Sequence, residues 1–269
     1  MDTRSLPLLQ HPLEAPSAFT PERLMEAVRA ERGLPREAVP PLCVLDFDGD
    51  LSDQLAEEGT TTPSRSWACF HTSMRVMTID GLRCGIVPRT IGGPYAVLVA
   101  EQLHAAGARL IVGLTSAGRV SPSLPLPSIL LIDEAIRDEG TSLHYLPAAP
   151  TVAAPTPGIG ALLATELRAL DVPVTTGMVW TTDAPYRETS DQLRMWAEKG
   201  VLAVEMQAAS LFAFARARAA QVAMVALVSN GVDEVSGQFD TGGHDFRTGV
   251  LAAVARATAA FLSGGEQNR

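Results

Sequence analysis

The chain has 269 residues, 46% of them hydrophobic and 19% charged, which suffices for one large α/β core. Its formal net charge of -9 comes from interspersed acids and bases, so no basic face is offered to a nucleic-acid polymer. No apolar run reaches the roughly 18 residues of a membrane span, and the start MDTRSLPLLQHPLEAP lacks a basic region leading into an apolar core, so a soluble, cytoplasmic protein with no membrane partner is expected.

Residues 1–40 carry prolines at 7, 12, 16, 21, 35 and 40 and read as an N-terminal extension wrapped on the core. Their one helical signal is Thr20-Pro21-Glu22 as cap, first turn and acid, followed by Leu24, Met25 and Val28 on one face. From there to about residue 265 the pattern alternates. Strands are predicted at PLCVLDF, RVMTI, RCGIVP, RLIVGLTS, SILLIDEAI, PVTTGMVWTT, VLAVEM and QVAMVALVSN, with helices over 94–106, 159–170, 190–199, 208–219 and 247–262. This alternation predicts one α/β domain with helices on the faces of a sheet. Segments 122–127 and 148–157 are proline-rich loops, and there is no internal repeat. Cys43, Cys69 and Cys84 stand in no metal-type spacing and read as buried thiols.

In such a sheet ligands gather at the carboxyl ends of strands, which gives weight to polar groups stationed there. Five stations qualify: Asp46-Phe47-Asp48-Gly49-Asp50, Thr115-Ser116-Ala117-Gly118, Glu205-Met206-Gln207, Ser229-Asn230-Gly231, and Thr90-Ile91-Gly92-Gly93-Pro94-Tyr95. Each has a plainer reading. The glycines suit an ordinary strand-to-helix turn, Thr115 and Ser116 suit a turn cap, Asn230-Gly231 a turn pair, and Gln207 a helix cap. DFDGDLSD reads as a solvated turn rather than a calcium loop, since no later glutamate stands at the required spacing, and no metal site is expected. His71, His104, His144 and His244 are scattered, and each alone suits a structural role. There is no GxSxG elbow, HExxH or Walker loop.

Taken in order, these stations resemble those of the nucleoside phosphorylase and nucleosidase superfamily, which includes uridine phosphorylases, purine nucleoside phosphorylases and methylthioadenosine nucleosidases. The resemblance runs from about Leu42 to Leu262 and rests on TIGGPYAVLVAEQL, AIRDEGTSLHYLP, WTTDAPYRET, VEMQAASLFAFA and VALVSN. It implies a mixed, strongly twisted central sheet, a pseudo-barrel flanked by helices, that holds a nucleoside-like substrate across strand ends. It also implies a homo-oligomer, dimeric or hexameric, and no cofactor beyond phosphate as a co-substrate. Gly92, Thr115 and Ser116 would line the site, Met206 would pack beneath the sugar, and Gln207 would take the place where relatives hold the ribose hydroxyls with glutamate. Glu205 would supply the missing charge or be structural. Tyr186 would line the base pocket, and Arg187 would donate to a base carbonyl or pair with Glu188. Asn230 stands where purine-cleaving relatives carry an acid. Its amide cannot deliver a proton but can hydrogen-bond negative charge developing on the base, which favours a 6-oxopurine or uracil leaving group over adenine.

The phosphate side departs from the family pattern. The positions of its three arginines fall at Ser52 or Asp53, near Phe70 or His71, and at Gly113, and a buried dianion without paired charge is costly. Arg75, Arg89 and Arg119 are candidates to reach in from shifted positions. Hydrolysis is therefore expected, with Asp50 or Asp53 activating water. Phosphorolysis and a non-catalytic nucleoside-binding module are the alternatives.

Overall fold

The computed structural model describes residues 6–10, 12–231 and 246–266. In chain order the elements are α1 (Pro21–Arg32), β1 (Leu42–Asp46), α2 (Asp50–Glu57), β2 (Thr62–Pro63), β3 (Arg75–Ile79), β4 (Leu82–Pro88) and α3 (Gly93–Ala105). There follow β5 (Leu110–Arg119), β6 (Ser128–Asp138), β7 (Thr151–Ala153), α4 (Ile159–Leu167), β8 (Val174–Thr182) and α5 (Ser190–Glu198). The chain continues with β9 (Ala203–Glu205), α6 (Ala208–Arg218), β10 (Val222–Gly231) and α7 (Arg247–Glu266).

Strand β5 organises the sheet. One of its edges pairs with β1 over Leu110–Leu114 and, further along, with antiparallel β9 at Gly118 and Arg119. Its other edge carries parallel β10 along nearly its whole length. Strand β10 pairs with antiparallel β6, β6 with parallel β8, and β8 with parallel β9. That path returns to β5, so five strands (β5, β10, β6, β8 and β9) close into a mixed barrel, the architecture the family resemblance implies. The wing β1-β4-β3-β2 extends outward from β5, and β7 attaches to β6. The β3–β4 hairpin turns on Asp80 and Gly81, both at positive φ, as a tight two-residue turn requires.

Helices cover the sheet because their apolar stripes need partners. α1, α3 and α6 bury residues such as Val28, Leu103 and Phe212 on one side, while α4 and α7 bury Leu163 and Val254 on the other. A smaller cluster under α5 joins Trp180, Ile136, Val201 and Val204. Cys43, Cys69 and Cys84 are all buried and free.

Three expectations change. The run after Asp50 forms a helix, not an open acidic turn, because Leu51 and Leu55 share a buried face. The strands predicted at RLIVGLTS and QVAMVALVSN run on past their expected ends, to Arg119 in β5 and Gly231 in β10, held there by the β5–β10 and β5–β9 pairings. Within the proline-rich segment 148–157, Thr151–Ala153 forms β7 on β6.

Gly113 has no room for a side chain: a Cβ there would lie 2.2 Å from Met224 Sδ and 2.9 Å from Phe47 Cε2. The Gly113→Ala substitution is therefore expected to destabilise the fold by about 1–3 kcal/mol through overpacking. Gly160→Ala, whose Cβ would meet only Leu131 Cδ2 at 3.9 Å, should change stability by no more than about 1 kcal/mol. Urea unfolding of both variants checks this contrast.

Candidate active site

The carboxyl ends of parallel strands β1, β4, β5 and β10 face one side of the sheet, with Asp46 opposite both Pro88 and Leu114, and Asn230 opposite Gly118. A register shift separates Val228 from Asn230, so a bulge re-aims the end of β10 where that asparagine stands. At β1, buried Asp46 turns its carboxylate back onto the chain that follows. It accepts from the backbone N–H groups of Gly49 (3.3 Å) and Ser52 (2.8 Å), fixing the start of α2. Burial raises the Asp46 carboxyl above its ordinary range, while these N–H bonds oppose the rise.

Gln207 ties three elements together. Its Oε1 accepts from Gly92 N at 3.3 Å, and its Nε2 donates to Thr115 Oγ1 at 3.0 Å. The start of α3, the end of β5 and the start of α6 thus meet at one amide that is only 2% exposed. The amide has one further acceptor site and one further N–H. The cap of α6 comes instead from Glu205, whose Oε2 accepts from the N–H of Gln207 (2.7 Å) and Ala208 (2.9 Å). Its Oε1 accepts from Thr181 Oγ1 at 2.5 Å. Of the two roles expected for Glu205, the geometry supplies the structural one: both oxygens are engaged and the residue is 4% exposed. Met206, between them, is half-buried.

The first loop is held against β5 by Asp48, which accepts from both N and Oγ of Ser116 at 3.0 Å. Asp50 pairs with Arg247 at 2.9 Å, and Asp53 pairs with Arg89, each carboxylate being about half exposed. Arg89 follows β4 at a positive φ of 58°. That turn lays its side chain over Gly49, where a Cβ would come within 2.8 Å of Arg89 Cγ and 2.9 Å of Cζ. A guanidinium therefore stands at the first loop although no residue of that loop supplies one.

Of the other two arginine positions, the second has a nearby guanidinium that already donates to Cys69 O at 2.9 Å, and the third has no room for one. Phe70 stacks with Arg32, whose Cζ is 5.2 Å from the ring centre. Gly113 faces the core, and an arginine there would have no room to point at a ligand. Arg75 is bound to Thr61, through Nε to Oγ1 at 2.6 Å and Nη2 to O at 2.8 Å.

On the base side Tyr186 does not form a wall: the short turn Pro185–Arg187 presents its ring outward, 100% exposed. A cavity of about 230 Å³ instead lies between the end of β8 and α5. Arg187 and Glu188 both line it, and no ion pair joins them. His244 lies outside the described residues.

Asp48, Arg89 and Glu188 are the groups that motif order alone leaves unassigned or open. Only Arg89 carries a signal in the sequence, as a cation just after a strand and just before a glycine-rich turn.

Burial raises the Glu205 carboxyl from 4.5 to about 7 against the pull of its hydrogen-bond donors. The folded state then holds a proton that the unfolded chain has released, so stability declines as pH rises from 4.5 to about 7. The Glu205→Gln variant should show a flatter dependence of Tm on pH across that window. Glu205→Ala should cost about 2–3 kcal/mol by removing the α6 cap and orphaning buried N–H groups. Thermal melts of the three proteins across this pH range measure both effects.

Comparison with known proteins places this arrangement. A guanosine phosphorylase from Halorubrum lacusprofundi is 27% identical over 157 residues, 57% of this chain and 63% of its own length. The chain thus spans less than two thirds of that relative. A uridine phosphorylase from Treponema pallidum is 27% identical over 197 residues, covering 66% of this chain and 75% of its own. The crystal structure of a uridine phosphorylase from Vibrio fischeri ES114 superposes with a TM-score of 0.71 at 21% identity, over 84% of this chain and 95% of that one, which is a likeness of fold. The family model of the phosphorylase superfamily matches residues 41–263, from just before β1 into the last turn of α7. By that match the chain belongs to the phosphorylase superfamily.

Proposed function

We propose that the chain is a nucleoside phosphorylase that cleaves the N-glycosidic bond of a 6-oxopurine or uracil nucleoside with inorganic phosphate. The observation that carries this reading is the Arg89 guanidinium lying over the Gly49 turn and against Asp53 in α2, while Asp48, next to Gly49, holds Ser116. The expectation of hydrolysis rested on three positions without arginine. Arg89 reaches the same turn from the neighbouring strand end, and the names of the relatives point the same way.

Phosphate would sit on Arg89 and Ser116, displacing Asp53 from the guanidinium and Asp48 from the Ser116 N–H and hydroxyl. Gln207 would bind the sugar hydroxyls and Met206 its underside. A phosphate oxygen forms a bond to the anomeric carbon as the carbon–nitrogen bond breaks, and the electron pair leaves with the base. The Asn230 amide would hydrogen-bond the charge that develops there, and solvent would protonate the departed base. Catalysis by this route consists of positioning and electrostatics, which suits a site without a general acid at Asn230.

Hydrolysis is the second reading, favoured by the carboxylates Asp48, Asp50 and Asp53 around the first loop. Against it, Asp50 and Asp53 are paired with Arg247 and Arg89, and Asp48 is bound to Ser116. A carboxylate so engaged is a poor acceptor for a proton from water.

Base release from guanosine, inosine and uridine, measured with and without phosphate and with the sugar product identified by mass, tests the proposal. Sugar 1-phosphate formed only when phosphate is present is expected; free sugar at equal rates in both arms would sink it. Arg89→Ala should raise KM for phosphate about 10- to 100-fold, the loss of a charge-assisted hydrogen bond, with little effect on KM for the nucleoside. Asp53→Asn should preserve phosphorolysis, whereas a hydrolase using Asp53 would lose activity.

A further inference from the structure

The motif AIRDEGTSLHYLP, residues 135–147, takes no part in the phosphorolytic scheme, yet it places a buried carboxylate beside α6. Glu139 follows β6 directly and is 8% exposed. Its Oε2 accepts from Ser142 N at 2.9 Å, within the motif, and from Ser210 Oγ at 2.6 Å, in the first turn of α6. The second bond has the length of a charge-assisted contact between hydroxyl and carboxylate. No ion pair joins Glu139 to a cation among the described residues. Arg137 instead directs Nε to Ser142 Oγ (2.8 Å) and its two Nη atoms to the carbonyls of Pro147 (2.6 Å) and Leu146 (3.2 Å). A buried carboxylate without a counter-ion is costly, and here hydrogen bonds alone offset that cost.

The bond to Ser210 lies where α6 meets the glycine-rich turn. Gly93 opens α3, and a Cβ there would be 2.2 Å from Ser210 Oγ and 3.3 Å from Thr141 Oγ1, so the missing side chain lets α6 come this close. One residue earlier, Gly92 N donates to Gln207 Oε1 at 3.3 Å. Gln207 and Ser210 stand three residues apart across the first turn of α6, where side chains are neighbours. Two adjacent glycines thus meet two residues of α6 one turn apart, and Glu139 holds the second of them. Thr141 and Ser142 belong to one short turn, Thr141–His144, so a single carboxylate draws that turn and α6 onto the same glycine.

We propose that Glu139 is a positioning residue for sugar binding: through Ser210 it fixes the start of α6 against Gly92 and Gly93, and so sets the place from which Gln207 meets the sugar hydroxyls. The inference deepens the phosphorylase reading and rests on its placement of the sugar on Gln207. Without the carboxylate the Ser210 hydroxyl, fully buried, loses its acceptor, and the start of α6 is free to shift against the glycine turn. Arg89 reaches the first loop from the end of β4 and shares none of these bonds, so the phosphate side responds least. Glutamine at position 139 can accept from Ser142 N and Ser210 Oγ with one oxygen, as Oε2 does, which makes Glu139→Gln the conservative variant.

Steady-state phosphorolysis, together with calorimetric titration with guanosine, inosine and uridine in phosphate-free buffer, tests this on the full chain and on Glu139→Ala, Glu139→Gln and Ser210→Ala. Glu139→Ala and Ser210→Ala should each raise both Kd and KM for the nucleoside about 10-fold, the size of one lost hydrogen bond, and leave KM for phosphate within about 2-fold of wild type. Glu139→Gln should recover nucleoside affinity to within about 3-fold of wild type, a rescue that a loss of general stability would not give. Ser210→Ala removes one oxygen atom and keeps the test open if Glu139→Ala does not fold. Unchanged nucleoside affinity in Ser210→Ala would overturn the proposal, as would KM values for nucleoside and phosphate that rise together, or a Glu139→Gln protein as impaired as Glu139→Ala. Binding and turnover separate the two readings. Nucleoside bound with the expected variant effects but no phosphate-dependent turnover would remove the phosphorylase reading and leave the positioning role, while turnover with an unaltered nucleoside KM in the variants would remove the positioning role alone. A wild-type chain that binds none of the three nucleosides would remove both.

Discussion

Everything in this molecule hangs on strand β5 being paired on both edges. Its first edge is shared between β1 and β9, and its second is filled by β10. Because β9 takes over where β1 leaves off, the sheet both closes a five-stranded barrel and continues into an outer wing. That division also places the carboxyl ends of β1, β4, β5 and β10 on one side, next to the start of α6. The barrel can be this tight only because Gly113 leaves its space to Met224 and Phe47.

The site is assembled by polar groups that first satisfy the fold. Asp46 fixes the start of α2, Glu205 the start of α6, and Gln207 joins Gly92 to Thr115. Buried helix starts leave N–H groups that need acceptors, and these side chains provide them. The same bonds position the turns that lead into α2, α3 and α6. Gln207 keeps one acceptor site and one N–H unused while both oxygens of Glu205 are engaged, a distinction that depends on which N–H groups lie within reach of each.

Electrostatics at the first loop result from arginines brought from elsewhere. Arg89 arrives from the end of β4 and Arg247 from the start of α7, and they neutralise carboxylates that lie in α2. An acidic run in the sequence thereby becomes a set of ion pairs. Arg89 and Asp53 are both about half exposed, so their pair is solvent-screened, unlike the Asp50 pair with nearly buried Arg247 and the enclosed contacts of Glu205.

The sequence by itself determined the alternation of strands and helices, the buried cysteines and the order of the five polar stations, because periodicity and glycine-rich turns are local properties. It also carried the family, since motif order survives where identity is low. Only the tertiary structure decided that β5 runs on through Ala117 and Gly118 and β10 to Gly231, for their conformation is set by partners more than eighty residues away. It decided that Tyr186 points outward and that Glu188 lines a cavity, which adjacent positions in one short segment cannot distinguish. It also decided where the arginine stands. The first loop itself carries no arginine, whereas a left-handed turn at Arg89 brings the guanidinium there from the next strand, and only long-range pairing of β1 with β4 makes those two places one.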